Sequence, residues 1–219
     1  MVLIGIFISS IAQANIQRKF DKYKKIKTQK SITGFDAARY ILSTNSYNDI
    51  SIKKVRGALS DYFNPINKEI ALSETSMTDT SIASLAVAAH ECGHVIQFKE
   101  GYIPLKIKSY IVPAVNLGSK LSFPMILLGI FLSMGKLISI GIFLFSFVLI
   151  FQIITLPVEF DASRRALKVL NESGMLVGVE NDYAKDMLKA AALTYVAATI
   201  STALQFLRLW ILFGNRRDD

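Results

Sequence analysis

The chain has 219 residues, of which 52% are hydrophobic and 19% charged, and its mean hydropathy is +0.39. This composition excludes a disordered chain, which would be polar and highly charged, and it is more apolar than an ordinary soluble domain. The single cysteine excludes an intrachain disulfide framework and a paired Cys-x-x-Cys zinc site. We therefore expect a membrane protein, in which the net charge of +8 lies on the cytoplasmic flanks of membrane spans or faces an anionic surface.

An apolar segment at residues 2–14 opens the chain, and seven lysines and arginines follow between residues 18 and 30. Because positive flanks stay in the cytoplasm, this pattern predicts a membrane anchor over residues 1–17 with its N-terminus outside the cell. The segment is short for a span, so a cleaved signal peptide is the alternative, and Ala12-Gln13-Ala14 resembles a cleavage site. The lack of a basic region before the segment favours the anchor.

Residues 18–110 are predicted to form a cytoplasmic region. Thr33 is a typical N-cap for a helix over residues 34–42. Turn-forming residues between two short extended arms predict a β-hairpin over residues 60–73. The alanine-rich run at residues 82–98 has the composition of a mostly buried helix.

Residues 111–157 are almost wholly apolar and long enough for two membrane spans, and Gly135 interrupts them. They predict a transmembrane helical hairpin that turns near Gly135. Residues 158–189 are polar and predict a cytoplasmic helix, and residues 190–219 predict a C-terminal membrane helix rich in small residues. The predicted fold class is a mainly α-helical integral membrane protein of about four spans with a small α+β cytoplasmic unit.

The positions of the basic residues help to predict the partners and the membrane topology. Most of them lie beside the apolar segments instead of among aromatics on a soluble face, so we expect membrane lipid and no nucleic acid as a partner. Arg216 and Arg217 oppose the predicted topology, because an outside start and four spans place them outside the cell.

Both histidines of the chain stand in the five residues His90-Glu91-Cys92-Gly93-His94, which match the pattern His-Glu-x-x-His. On a helix the i, i+4 spacing places both imidazoles on one face, where two nitrogens can bind one metal ion. Glu91 lies beside that face, where it can take a proton from a metal-bound water without being a ligand. The alternative is a pair of structural histidines bonded to neighbouring groups.

A catalytic zinc site usually needs a third protein ligand, and no third histidine exists. Carboxylates remain, and Glu159 is the best placed because it directly follows the apolar block. If that block crossed the membrane once, His94 and Glu159 would lie about 30 Å apart on opposite sides. Two crossings return Glu159 to the histidine side, in agreement with the length of the block. The candidate carboxylates are Glu100, Glu159, Asp161, Glu172 and Glu180.

Four stretches carry a resemblance to a known family: AAHECGHVIQ at 88–97, PAVNLGS at 113–119, TLPVEFDASRRA at 155–166 and KAAALTYVAA at 189–198. Over nearly its whole length the chain resembles the YugP-type neutral zinc metallopeptidases of bacterial membranes. More distantly, it is similar to membrane zinc proteases of the HtpX and CAAX-prenyl-protease type.

The distant resemblance implies that Glu159 is the third zinc ligand, as is the glutamate after the two spans in those proteases. They place an aspartate four residues later, where this chain has Ser163. Ser163 could accept a weaker hydrogen bond from the first histidine, or Asp161 could substitute for that aspartate.

The predicted function is a membrane-embedded, gluzincin-like zinc endopeptidase with an active site on the cytoplasmic side. Zn²⁺ is the expected cofactor, held by His90, His94 and Glu159, with Glu91 as general base and then acid. The expected substrate is a peptide or a membrane protein. The alternative is a non-catalytic membrane scaffold or sensor with a structural metal site.

Three smaller hypotheses concern other residues. The arm at residues 68–73 could pair with an extended substrate or belong to a plain structural hairpin. Cys92 is expected to be a small buried residue. A donor for the oxyanion of the tetrahedral intermediate is also needed, and the candidates are Arg164, Arg165, Tyr195 and Tyr62.

Overall fold

The computed structural model of the chain describes residues 1–214 and is mainly helical with one small sheet. In chain order its elements are α1 (Val2–Tyr23), α2 (Gly34–Thr44), β1 (Ser51–Val55), β2 (Tyr62–Asn64), β3 (Glu69–Ser73), α3 (Glu74–Thr78), α4 (Ile82–Lys99), α5 (Ile103–Phe131), α6 (Gly135–Glu172) and α7 (Val179–Phe213).

The chain divides into two compact units. The mixed unit comprises Ala14–Tyr102 and Val158–Leu193, and it contains the sheet and α2 to α4. Among the described residues, the apolar unit comprises Met1–Gln13, Ile103–Pro157 and residues 194–214. Helices α1, α6 and α7 each contribute residues to both units.

In the mixed unit, the predicted helix capped by Thr33 is confirmed. The Thr33 side chain accepts a hydrogen bond from the backbone N–H of Asp36, and the Asp36 side chain accepts one from the backbone N–H of Thr33. This reciprocal pair satisfies two backbone donors at the helix start. The helix buries Ala37, Ala38 and Ile41 in the core of this unit.

The sheet has the strand order β1-β3-β2. Strands β2 and β3 are antiparallel neighbours, which confirms the predicted hairpin, whereas β1 pairs with β3 in parallel. Strand β3 is therefore central, with both of its edges bonded to neighbours. The hypothesis that an extended substrate pairs with the arm at residues 68–73 is wrong, because that arm has no free edge.

Helix α4 begins after the N-cap Ser81 and confirms the predicted helix over residues 82–98. It is buried on most sides, and Leu85, Ala88 and Val95 are fully enclosed in the core. Cys92 is also buried, as predicted, and its thiol lies 3.9 Å from the carbonyl oxygen of Ala38. This enclosure explains why the helix is apolar all round instead of amphipathic.

In the apolar unit, the predicted turn near Gly135 is confirmed, because α5 ends at Phe131 and α6 begins at Gly135. Helix α5 continues through Pro113 and Pro124. Three of the helices within residues 1–214, namely α5, α6 and α7, are long and apolar enough to cross a membrane. Helix α1 is not among these three. Arg216 and Arg217 lie outside the described residues.

The start of α1 packs within the apolar unit. A Cβ atom on Gly5 would lie 2.5 Å from the hydroxyl oxygen of Ser201 on α7 and 3.2 Å from its Cα atom, so the two helices approach each other closely here. Small residues at such contacts are typical of helices that associate in membranes.

Candidate metal centre

The two histidines lie one turn apart on α4 and present their Nε2 atoms to the same region. Their ring centroids are 4.8 Å apart, and their side chains are only 15% and 13% exposed. Helix geometry explains this placement, since residues i and i+4 share a face. The predicted juxtaposition of His90 and His94 is therefore present.

Glu159 reaches the histidines from α6. Its Oε2 atom lies 3.4 Å from Nε2 of His90 and 3.6 Å from Nε2 of His94, and its side chain is 4% exposed. The ligand atoms of the three residues all lie within 4.8 Å of one another. Two ligand atoms that are each about 2.1 Å from one tetrahedral zinc ion are about 3.4 Å apart. This donor set of two imidazoles and one carboxylate therefore fits a zinc ion.

Gly93 allows α4 and α6 to approach each other at this point. A Cβ atom on Gly93 would lie 2.4 Å from the carbonyl oxygen of Ala162. Ala162 is itself fully buried and lies one turn after Glu159. Because neither residue carries a larger side chain, the backbone of α6 lies directly against the helix that carries both histidines.

The second nitrogen of each imidazole has its own hydrogen-bond partner. Nδ1 of His90 lies 3.2 Å from the hydroxyl of Ser163, and Nδ1 of His94 lies 3.1 Å from Oε1 of Gln97. Ser163 thus contacts the first histidine as the sequence suggested. Asp161, the other suggested partner, instead accepts a hydrogen bond from Gln97. These contacts hold both rings with Nε2 directed toward Glu159.

Glu91 is buried beside this cluster, with a residue exposure of 7%. Burial raises the pKa of its carboxyl group to about 7, because an apolar surrounding disfavours the charged form. His90 and a backbone hydrogen bond from Phe63 lower this pKa, whereas the negative charges of Asp61 and Glu159 raise it. A carboxyl group with such a pKa can both accept and release a proton near neutral pH.

The other candidate carboxylates are engaged elsewhere. Glu100 pairs with Arg165, and Asp161 pairs with Arg164 and Arg165. Oε1 of Glu172 lies 3.9 Å from Nζ of Lys168. Glu180 accepts hydrogen bonds from the backbone N–H groups of Gln29 and Val177. Among the five candidates, the structure brings only Glu159 to the histidine pair within residues 1–214.

The structure also limits the candidates for an oxyanion donor. Both arginines are bound to Asp161, and Arg165 additionally stacks on the Tyr102 ring. Tyr62 is 41% exposed on β2, and Tyr195 belongs to the apolar unit. The two arginines are therefore engaged with carboxylates instead of being free to bind an oxyanion.

Sequence reasoning did not single out Gln97 or Asp61. Gln97 lies one turn after His94, so its helical spacing could have indicated a contact. Asp61 acts on Glu91 from the loop before β2, and its Oδ1 accepts a hydrogen bond from the backbone of Ser73. No local spacing links Asp61 to α4, so its role needed the three-dimensional structure.

The chain matches a known protein family and a bacterial relative over nearly its whole length. Residues 1–214 match a family described as "Putative neutral zinc metallopeptidase". The chain is also 37% identical over 219 residues to the Bacillus subtilis (strain 168) protein named "Putative membrane protease YugP", and the match covers 100% of this chain and 97% of that protein. No solved structure matches the chain. The resemblance seen in the sequence is therefore confirmed, and the chain belongs to this neutral zinc metallopeptidase family.

Proposed function

We propose that this protein is a membrane-embedded zinc endopeptidase. The observation that carries the proposal is the meeting of His90, His94 and Glu159 within 4.8 Å, with the buried Glu91 beside them. A structural zinc site is closed by four protein ligands, whereas a catalytic site keeps one position open. Three protein ligands next to a carboxyl group with a pKa of about 7 fit the catalytic kind.

In this proposal Nε2 of His90, Nε2 of His94 and Oε2 of Glu159 hold the zinc ion. When bound, zinc supplies Lewis acidity, which lowers the pKa of water toward 7 and polarises a peptide carbonyl. Glu91 accepts a proton from the attacking water and then delivers it to the amine nitrogen of the departing peptide. Burial of Glu91 supports this role, because it keeps bulk water from competing for the proton.

An extended peptide substrate can be accommodated by β2. No other described strand pairs with the edge of β2 that faces away from β3. The backbone of Phe63, in the middle of β2, also bonds to Glu91, so this edge lies beside the proposed base. Strand addition at such an edge binds the peptide through its main chain and tolerates many side chains.

We further propose that the protein crosses the membrane several times with its active site on the cytoplasmic side. The surfaces of α5, α6 and α7 support this, since large apolar residues such as Phe131, Phe143 and Trp210 are 85%, 63% and 57% exposed. The inclusion of Met1–Gln13 in the apolar unit supports a fourth membrane segment. The lysines that follow residue 17 favour a cytoplasmic mixed unit.

These features define the expected partners. Lipid would cover the exposed apolar helices, and the substrate would be a membrane protein or a peptide segment near the membrane. The sequence offers no basic surface interleaved with aromatics, so nucleic acid is not a proposed partner.

The deciding experiment combines zinc content with cleavage of a quenched-fluorescence peptide library by the detergent-purified protein. Glu91→Gln should retain about one zinc per chain but lose cleavage by a factor of about 10³ or more, because the proton acceptor is gone. Glu159→Ala should lose both zinc and cleavage. Glu74→Gln, a change at an exposed glutamate, is the matched control and should lose neither.

Two results would contradict the proposal. Absence of zinc from the native protein, purified without chelator, would remove the metal centre. Full activity of Glu91→Gln in the protein's cellular role would favour the second candidate, a scaffold or sensor with a structural metal ion.

A further inference from the structure

Gln97 is a fully buried polar residue at the rear of the metal centre. Its Oε1 atom lies 3.1 Å from Nδ1 of His94. Its Nε2 atom donates to the carbonyl oxygen of Val158 at 2.8 Å and to Oδ2 of Asp161 at 2.9 Å. With an exposure of 0%, the amide has no water with which to exchange these contacts.

The two acceptors on α6 determine which way round the Gln97 amide lies. A backbone carbonyl can only accept a hydrogen bond, and so can the Asp161 carboxylate, which is bound by Arg164 and Arg165. The NH₂ group of Gln97 must therefore face α6, and its oxygen must face His94. Because that oxygen can only accept, the Nδ1 atom of His94 must carry the proton.

The two histidines differ in the hydrogen-bond partner of Nδ1. Ser163, the partner of His90, has a hydroxyl group that can either donate or accept, so it leaves the His90 tautomer open. Gln97 offers His94 only an acceptor. We propose that Gln97 is a positioning residue that holds the proton of His94 on Nδ1 and keeps the Nε2 lone pair directed at the metal centre.

The same amide also connects α4 to α6. Val158 and Asp161 lie on either side of Glu159 in the sequence, so Gln97 is bonded to the turn of α6 that carries the third proposed ligand. The position of His94 is thereby linked to the position of Glu159 through a single side chain. This inference rests on the proposed function only in assigning a metal to the centre, since the hydrogen bonds do not depend on it.

The chain contains only two histidines, so its tautomers can be observed directly. Protein labelled with ¹⁵N-histidine and loaded with zinc in detergent should give two imidazole spin systems in long-range ¹H–¹⁵N spectra. Ser163→Ala identifies the His90 signals, because it changes only the partner of His90. We expect the His94 system to show a proton on Nδ1 that exchanges slowly with water, because it is bonded to the buried Gln97 amide.

Three variants test whether Gln97 is responsible for the proton on Nδ1 of His94. Gln97→Leu removes the acceptor, so the Nδ1 proton of His94 should exchange faster and its resonance should shift, and zinc affinity measured by chelator competition should fall about 10- to 100-fold. Gln97→Glu keeps an acceptor toward His94, so slow exchange of the Nδ1 proton should persist, although the NH₂ group that bonds to Val158 and Asp161 is lost. Gln17→Leu, at an exposed glutamine of α1, is the matched control and should change neither readout.

The proposal is overturned if the native His94 shows no slowly exchanging proton on Nδ1, or if Gln97→Leu leaves that proton unchanged. If Gln97→Leu does not fold, the spectra of the native protein still decide the question. If the native protein binds no zinc, the proposed function fails, while the exchange of the Nδ1 proton in the metal-free protein still reports the bond to Gln97.

Discussion

Gly93 and Ala162 bring two helices into backbone contact at the metal centre: a Cβ atom on Gly93 would lie 2.4 Å from the carbonyl oxygen of Ala162. Backbone atoms cannot move aside as the end of a flexible side chain can, so this pair fixes the distance between α4 and α6. His90, His94 and Glu159 meet only because that distance is short.

Gly93→Ala should therefore weaken both the fold and the metal centre. The added methyl group would normally favour a helix by about 1 kcal/mol, but overpacking costs about 1 to 3 kcal/mol and should prevail. Zinc affinity should fall by a factor of about 10 or more, because Glu159 is moved away from the histidines. Denaturant unfolding and chelator competition measure the two effects.

Gly178→Ala serves as the control for this change. A Cβ atom at Gly178 meets nothing within 4 Å, so its cost is confined to the backbone, where φ is +54°. It should lower stability by about 1 kcal/mol without changing zinc affinity. Native zinc binding by Gly93→Ala would show that the close approach is not required.

The buried carboxyl group of Glu91 should make the metal-free protein less stable at higher pH. Its pKa is about 7 in the folded protein against an ordinary value of 4.5, so the folded state binds more protons between these values. The free energy of unfolding therefore falls as the pH rises from about 4.5 to 7.

Glu91→Gln removes this titration. The variant should be more stable than the native protein by about 2 to 3 kcal/mol above pH 7, with the difference shrinking toward pH 4.5. Unfolding in denaturant across this pH range, with chelator present, measures the difference. A difference that does not vary with pH would mean that the pKa of Glu91 is not raised in the folded protein.

Cys92 should be unreactive in the folded protein. It is 1% exposed, and burial raises the pKa of its thiol, so little thiolate is available for reaction. Labelling by a thiol reagent should be on the order of a hundredfold slower than in denaturant. Zinc should slow it further, because metal binding stabilises the folded state. Fast labelling of the native protein would contradict the packing of α4 against α2.

The protection of Cys92 makes the proposed membrane topology testable with single introduced cysteines. Ser133, in the turn between α5 and α6, and Ser31, before α2, are both exposed and both have a positive φ, 54° and 49°. They form a matched pair for substitution by cysteine.

In intact cells, a membrane-impermeant thiol reagent should label Ser133→Cys and should not label Ser31→Cys. After permeabilisation, both should be labelled. The reverse pattern would place the active site outside the cell, and labelling of neither in permeabilised cells would show that these turns are not accessible.

Local patterns in the sequence were sufficient for much of this structure. The i, i+4 spacing placed His90 and His94 on one face, Thr33 marked the start of α2, and Gly135 marked the start of α6. Each of these depends on residues within a few positions of one another.

The features that the sequence could not supply depend on distant residues. The parallel pairing of β1 with β3 has no local signal, and it is what makes β3 central. The hydrogen bond from Gln97 to Asp161 joins residues 64 positions apart. Glu159 could be favoured as a third ligand from its place after the apolar block, but its distance from the histidines depends on Gly93, a residue whose importance appears only in the packing.

The hydrogen bond between Glu91 and the backbone of Phe63 affects how mutations in β2 should be interpreted. The group that bonds to the Glu91 carboxylate belongs to the main chain of Phe63. Replacing Phe63 by any residue other than proline therefore leaves this hydrogen bond in place. An alanine scan of β2 would measure the packing of Phe63 against Phe98 and would not detect the restraint on Glu91. The restraint on Glu91 depends on the backbone path of β2. Only a change that moves this backbone, or a proline that removes its N–H group, would reveal the restraint.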